Sequence, residues 1–190
     1  SASSLGHYTR AHQFSEFPSS NITGIIKRVT YPVLCSIQND DERLSNIYRR
    51  FLKLSAFVIF PMMTGLSAVS KPLIFMTIGS QWEICAILLP IICFSMMWYP
   101  IHSINLNLLQ VKGRSDLFLR LEIIKKLLGV LVICITAPWG LVVMCYGSIV
   151  SSLIALVINT YYTGKLIHIG FFKQMRDLVP TLLLAFAMFI

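Results

Sequence analysis

The stretch LLGVLVICITAPWGLVVMCYGSIVSSLIALVINTYYTG, residues 127–164, contains no Asp, Glu, Lys, Arg or His over 38 consecutive positions. As one helix it would measure about 57 Å at roughly 1.5 Å per residue, nearly twice a hydrocarbon core of about 30 Å. It therefore reads as two membrane helices folded back on each other. The fold-back is marked by Ala137-Pro138-Trp139-Gly140, where proline and glycine disfavour a continuous helix and tryptophan suits a membrane interface.

Composition agrees. The chain is 56% hydrophobic and only 13% charged, with a mean hydropathy of +0.73, whereas a soluble domain carries about 25% charged residues. The five cysteines, Cys35, Cys85, Cys93, Cys134 and Cys145, are odd in number, show no CxxC spacing and mostly sit in apolar runs, so they read as small buried hydrophobes. The sequence begins at Ser1 with no initiator methionine or signal peptide and stops inside an apolar stretch at 182–190, so it is expected to be part of a larger protein. The sequon Asn21-Ile22-Thr23 falls inside an apparent helix and reads as coincidence.

The same length argument, carried outward, marks apolar segments at 5–36, 53–79, 84–111, 117–137 and 140–164, and a truncated one at 178–190. The expected fold is an all-α polytopic membrane protein of about five spans plus a truncated sixth, in a single membrane domain. Twelve of the sixteen basic residues fall on every second connection: Arg43, Arg49, Arg50 and Lys53; Lys112, Arg114, Arg120, Lys125 and Lys126; Lys165, Lys173 and Arg176. The intervening connections carry only Lys71. This is the positive-inside pattern, which puts the three basic connections in the cytoplasm and Ser1, residues 71–83 and the Pro138 turn on the other side. The net charge of +8 is thus a topology signal. No aromatic-basic module accompanies it, and no nucleic-acid partner is expected.

The first segment differs in kind. On a helical wheel Ala11, Phe14, Pro18, Ile22, Ile25, Val29 and Pro32 form an apolar stripe, opposite His12, Glu16, Ser19, Ser20, Thr23, Lys27 and Thr30, with Arg10, Asn21 and Arg28 on one flank of the polar arc. A charge turned to lipid at the centre of a span costs on the order of 2.5–3.5 kcal/mol, so the polar face must meet water or protein. Two readings stand: an amphipathic helix lying along the interface, or a spanning helix that lines a hydrophilic cavity whose cations hold an anionic substrate. The alternation of the later segments favours spanning.

Other polar residues are weaker signals. His102, Ser103, Asn105, Asn107 and Gln110 share the cytoplasmic half of the third segment, which Pro90 and Pro100 can bend. His102 is either a proton relay or an interhelical hydrogen-bonder. Gly147, Ser151 and Ala155 form a small-residue ridge for close helix approach. Glu122 with Lys125 and Lys126 reads as an ion-paired entry turn. There is no glycine-rich phosphate loop, no HExxH and no GxSxG; no cofactor or metal is expected, nor is the chain expected to be an enzyme.

The motifs Leu5-Gly6-His7-Tyr8-Thr9-Arg10-Ala11, Pro18, Val29-Thr30-Tyr31-Pro32, Ser36-Ile37-Gln38-Asn39-Asp40, Leu54-Ser55-Ala56-Phe57 with Pro61, Lys71-Pro72-Leu73, Gly113-Arg114-Ser115-Asp116 and Leu121-Glu122-Ile123-Ile124-Lys125-Lys126 extend over nearly the whole chain. Their order and spacing resemble the second lobe of bacterial polysaccharide flippases, within the multidrug, oligosaccharidyl-lipid and polysaccharide exporter superfamily. His7 stands where that pattern has tyrosine. The resemblance implies a two-lobe helical transporter of the bacterial inner membrane. It would move an undecaprenyl-pyrophosphate-linked oligosaccharide outward by alternating access for O-antigen, capsule or exopolysaccharide assembly. Its partners would be the lipid-linked oligosaccharide, membrane lipids, and a polysaccharide polymerase with other assembly proteins. On this basis Arg10, Lys27 and Arg28 are expected to hold the pyrophosphate, His12, Glu16, Asn21 and Thr23 to contact sugar or counter-ion, and Glu16 or His102 to couple ions. The alternatives are a drug exporter of the same superfamily, which the cation excess on the first helix disfavours, and a membrane enzyme acting on polyprenyl-linked sugars.

Overall fold

The uncharged run folds as two helices packed side by side. A computed structural model describes residues 2–167 and 169–187. In it α6, Ser115–Thr136, ends at a single 3-10 turn, Ala137–Trp139, and α7, Leu141–Ile167, returns along it. Gly140 supplies the φ of +101° that the reversal requires and that an L side chain rarely adopts. The small-residue ridge is used where α7 meets α6. A Cβ on Gly147 would lie 2.9 Å from both Thr136 Cγ2 and Val132 Cγ1, so only a glycine admits this approach.

The remaining elements are also helical, and the described residues contain no strand: α1, Ala2–Ser36; α2, Asp41–Ala68; α3, Ser70–Thr77; α4, Glu83–Met96; α5, Tyr99–Val111; and α8, Phe171–Ala187. Three segments, Asp41–Ala68, Ser80–Val111 and Leu141–Ile167, are long and apolar enough to cross a membrane by length and composition. The chain is an all-α polytopic membrane protein. Hydrocarbon cannot hydrogen-bond to the backbone, so each spanning segment must satisfy its own peptide groups, which a helix does.

Several bounds differ from the sequence expectation. The second helix starts at Asp41, twelve residues before 53, because Asp40 caps it: its Oδ1 accepts from Arg43 N at 3.0 Å, and Asp41 and Glu42 fall in the first turn, where the helix dipole favours them. Arg43, Arg49, Arg50 and Lys53 are therefore helical residues. Arg120, Lys125, Lys126, Lys173 and Arg176 likewise lie on helices, and α8 begins at Phe171 instead of 178. Residues 188–190 of that expected span lie outside the described residues. The expected segment 53–79 is interrupted at Val69, between α2 and α3.

The expected 84–111 helix is broken at Met97–Trp98, and proline chemistry accounts for the way the break is held. Pro100 has no N–H to give to the Met96 carbonyl four residues back. Instead Ser19 Oγ of α1 donates to Met96 O at 3.0 Å, and Ser152 Oγ of α7 donates to Ser95 O at 3.3 Å. Ser19 thus replaces the bond that the proline removes, as a membrane interior requires, and Ser152 adds a second donor at the break. This α4–α5 pair is the centre of the bundle, with α1, α2 and α7 packed on it; α8 packs on α2, and α6 on α7.

Two basic connections meet at one end of the bundle: Lys112 Nζ donates to Gln38 O at 2.8 Å and pairs with Asp41 Oδ1 at 2.5 Å. Asp177 of α8 receives Arg49 in two hydrogen bonds, 2.6 and 2.9 Å, and Lys53 at 3.0 Å. A third polar tie joins α2, α5 and α8, where the buried Tyr48 hydroxyl donates to Asn105 Oδ1 at 2.5 Å and lies 3.1 Å from Gln174 Oε1.

Two substitutions test this packing by thermal unfolding of the full-length protein in detergent. Gly147→Leu should destabilise it by about 1–3 kcal/mol through overpacking at α6, while Val150→Leu, on the exposed face of α7, stays within about 0.5 kcal/mol of the parent. Ser19→Ala should cost about 1 kcal/mol by leaving the Met96 carbonyl without a donor.

Candidate functional site

The polar arc of α1 divides into two faces with different tasks. Ser15, Ser19, Thr23 and Thr30 are buried against the bundle together with Ala11 and Leu34. This ridge repeats at intervals of four residues, or seven where one is skipped, and its small side chains let α4 and α5 approach. Serine and threonine can face protein in this way because their hydroxyls return to their own helix: Ser15 Oγ donates to His12 O at 2.9 Å and Thr23 Oγ1 to Ser19 O at 2.7 Å. Thr23, expected at the substrate, is 4% exposed and belongs to this packed ridge.

The charged residues take the opposite side. Arg10, Glu16, Asn21, Lys27 and Arg28 are exposed, and His12 is half-buried at the boundary. Asn21 turns its amide onto Phe17 O at 2.7 Å, and Arg10 Nη1 donates to Gln13 Oε1 at 3.1 Å. His12 Nδ1 sits 3.3 Å from Glu16 Oε2. The expected apolar stripe also splits: Ala11 is fully buried, but Ile25 is 63% and Val29 52% exposed. With Phe51, Leu54 and Val58 of α2, these two line an almost wholly apolar groove of about 330 Å³.

Distance separates the three cations that the sequence grouped together. Arg10 is seventeen residues from Lys27, which along a helix axis is about 26 Å. One pyrophosphate group cannot touch both. Arg10 with Gln13, His12 and Glu16 forms one polar station, and Lys27 with Arg28 forms another near the end of α1 that carries the basic connections.

At the second station the structure brings in residues from α5 and α6. Lys27, Arg28, Tyr31 and Pro32 face Asn107 and Gln110 across a cleft of about 360 Å³. On its other side Lys27 borders a pocket of about 260 Å³ with His102, Ser103, Glu122 and Lys125. Lys125 pairs with Glu122 one turn away. Reading α6 by itself finds that ion pair but not its position beside Lys27; only the docking of α5 between α1 and α6 assembles the pocket.

His102 is held as an interhelical hydrogen-bonder. Its Nδ1 lies 3.2 Å from Asn159 Nδ2 and its Nε2 3.4 Å from Ser152 Oγ, both on α7. Among the described residues no group of three His, Cys, Asp or Glu side chains could hold a metal ion.

Residues 1–87 match the family described as polysaccharide biosynthesis protein. The chain is 26% identical over 166 residues to a membrane protein of the cps region of Klebsiella pneumoniae, covering 85% of this chain and 33% of that one. It is 26% identical over 155 residues to the lipopolysaccharide biosynthesis protein WzxC of Escherichia coli, covering 82% of this chain and 31% of that one. It is 29% identical over 80 residues to the succinoglycan biosynthesis transport protein ExoT of Rhizobium meliloti, covering 42% of this chain and 16% of that one. The chain therefore spans a third or less of the length of these relatives. No solved structure matches it significantly. The family matched over residues 1–87 and the relatives are thus all similar to this helical membrane chain, and they are of the group its sequence motifs resemble.

Proposed function

We propose that the full-length protein is a flippase, not an enzyme. It carries an undecaprenyl-pyrophosphate-linked oligosaccharide across the bacterial inner membrane by alternating access, for assembly of a cell-surface polysaccharide such as O-antigen, capsule or exopolysaccharide. This chain supplies one lobe of it. Its partners are the lipid-linked oligosaccharide, the membrane lipids, and a polymerase with other assembly proteins.

The observation that carries the reading is the charged face of α1. One side of this helix of 35 residues packs on α4 and α5, while Arg10, Glu16, Lys27 and Arg28 stand exposed on the other. At a cost of about 2.5–3.5 kcal/mol for each central charge, that face is untenable against lipid, and a water-filled cavity between two lobes removes the penalty. We take α1 and α6 as spans too. The exposed Leu119, Leu127, Leu131 and Ile135 of α6 offer hydrocarbon a continuous surface alongside α7.

On this reading the two cation stations are successive stops of the head group. Lys27 and Arg28 receive the pyrophosphate on the side of the basic connections, and Arg10 attracts it near the opposite end. His12, Glu16 and Asn21 meet sugar or counter-ion, and Glu16 is the residue for ion coupling, because its carboxylate is exposed whereas both His102 nitrogens are engaged.

Reconstitution of the purified full-length protein in liposomes tests this. Translocation of the lipid-linked oligosaccharide without covalent change is expected, and a modified lipid would identify an enzyme instead. Arg10→Ala and Lys27→Ala should each slow translocation at least about tenfold, the loss of one charge-assisted contact. If both leave translocation and polysaccharide export unchanged, α1 does not line the substrate path.

A further inference from the structure

We infer that the α1–α5 cleft is the site that receives the pyrophosphate group on the cytoplasmic side, and that Asn107 and Gln110 of α5 are binding residues of that site alongside Lys27, Arg28 and Tyr31. This rests on the flippase reading for the identity of the ligand. The site itself rests on the following geometry.

Six residues line the cleft: Lys27, Arg28, Tyr31, Pro32, Asn107 and Gln110. Two are basic side chains, three more can donate hydrogen bonds, and none is an acid. The pocket on the other side of Lys27 lacks this purity, because Glu122 there already neutralises Lys125. Asn107 is 3% exposed, and its Nδ2 is buried with no hydrogen-bond partner in the protein. A buried amide donor left unpaired costs about 1–3 kcal/mol, and such groups are rare unless something fills the place. Asn107 lines the cleft, and a phosphate oxygen bound there would offer its amide an acceptor after a small side-chain adjustment, beside the two charges that would neutralise the anion.

The position suits loading. Asn107 and Gln110 lie in the last turns of α5, and Lys27 and Arg28 about 12–14 Å before the end of α1, by the rise of about 1.5 Å per residue. Both helix ends lead into connections that Lys112 ties together through Gln38 and Asp41. A head group entering between these ends meets the cleft before it reaches Arg10.

The test is calorimetric titration of the full-length protein in nanodiscs with inorganic pyrophosphate, then displacement by a short prenyl pyrophosphate or by phosphatidylglycerol. Asn107→Leu is nearly isosteric and removes a donor that has no protein partner, so it should weaken pyrophosphate binding about tenfold while leaving the melting temperature unchanged or raised. Gln110→Leu and Lys27→Gln should weaken it comparably. Displacement by the prenyl pyrophosphate and not by phosphatidylglycerol is expected; equal displacement by both would overturn the assignment to substrate. Unchanged binding in Asn107→Leu and Lys27→Gln would overturn the site. So would a fall in melting temperature for Asn107→Leu without a change in affinity, which marks a packing residue. If the parent binds pyrophosphate in an Asn107-dependent way yet moves no lipid-linked oligosaccharide in liposomes, the site stands and the flippase reading fails. If it moves that lipid while Asn107→Leu changes neither assay, the reverse holds.

Discussion

A charge or a free peptide group cannot be left facing hydrocarbon, and the rest of this structure follows from that. The constraint makes every described element of regular structure helical, gives the broken α4–α5 helix two serine donors from its neighbours and, on the proposed reading, turns the charged side of α1 away from lipid. The break itself is informative. A proline in a soluble helix can leave its orphaned carbonyl to water, but Pro100 lies inside a bundle, so Ser19 is fixed in place by the need to serve Met96. The same ridge that carries Ser19 brings α1 close to α4 and α5. Close packing and hydrogen-bond replacement are therefore one device, and the charged residues of α1 are held outward by what lies on its other side.

The sequence made the fold-back of residues 127–164 legible, because a run too long for one bilayer crossing with proline and glycine at its middle admits one solution. It also showed that residues 5–36 form a helix unlike the others, and its motif order pointed to the family that the comparisons support. The two faces of α1 were not legible. A helical wheel ranks hydroxyls with charges, so Ser19, Thr23 and Thr30 fell in with Glu16 and Lys27; in a membrane protein such hydroxyls can pack against protein, Thr23 by bonding to its own backbone and Ser19 by bonding to Met96 O. Arg49 and Lys53 looked like topology signals alone, because their partner Asp177 is well over a hundred residues away and only the docking of α8 on α2 reveals it. Asn107 and Gln110 were visible as polar residues, but nothing in the order of the chain says that they face Lys27.

On the proposed flippase reading, the placement of charge along α1 gives a large anionic head group a way to move. Cations about 26 Å apart along one helix cannot bind a pyrophosphate together. On that reading they hold it in turn as the lobes rock, and the stretch between them carries Glu16, Ser20 and Asn21, which would meet sugar hydroxyls or a counter-ion without trapping the anion. On that reading α7, uncharged up to Lys165, and the apolar outer face of α6 contribute scaffold. On that reading function concentrates in α1, whose exposed face carries Arg10, Glu16, Lys27 and Arg28.

The central claim is that the exposed charged face of α1 borders water. The most direct measurement replaces the native cysteines and introduces single cysteines along α1 of the full-length protein in membrane vesicles, followed by labelling with a membrane-impermeant thiol reagent. Positions 16, 20, 24 and 27 should label, whereas 19 and 23, buried in the ridge, and 25 and 29, on the apolar groove, should not. Labelling of 25 and 29 with silence at 16, 20 and 27 would place the charged face against protein or lipid and contradict the account.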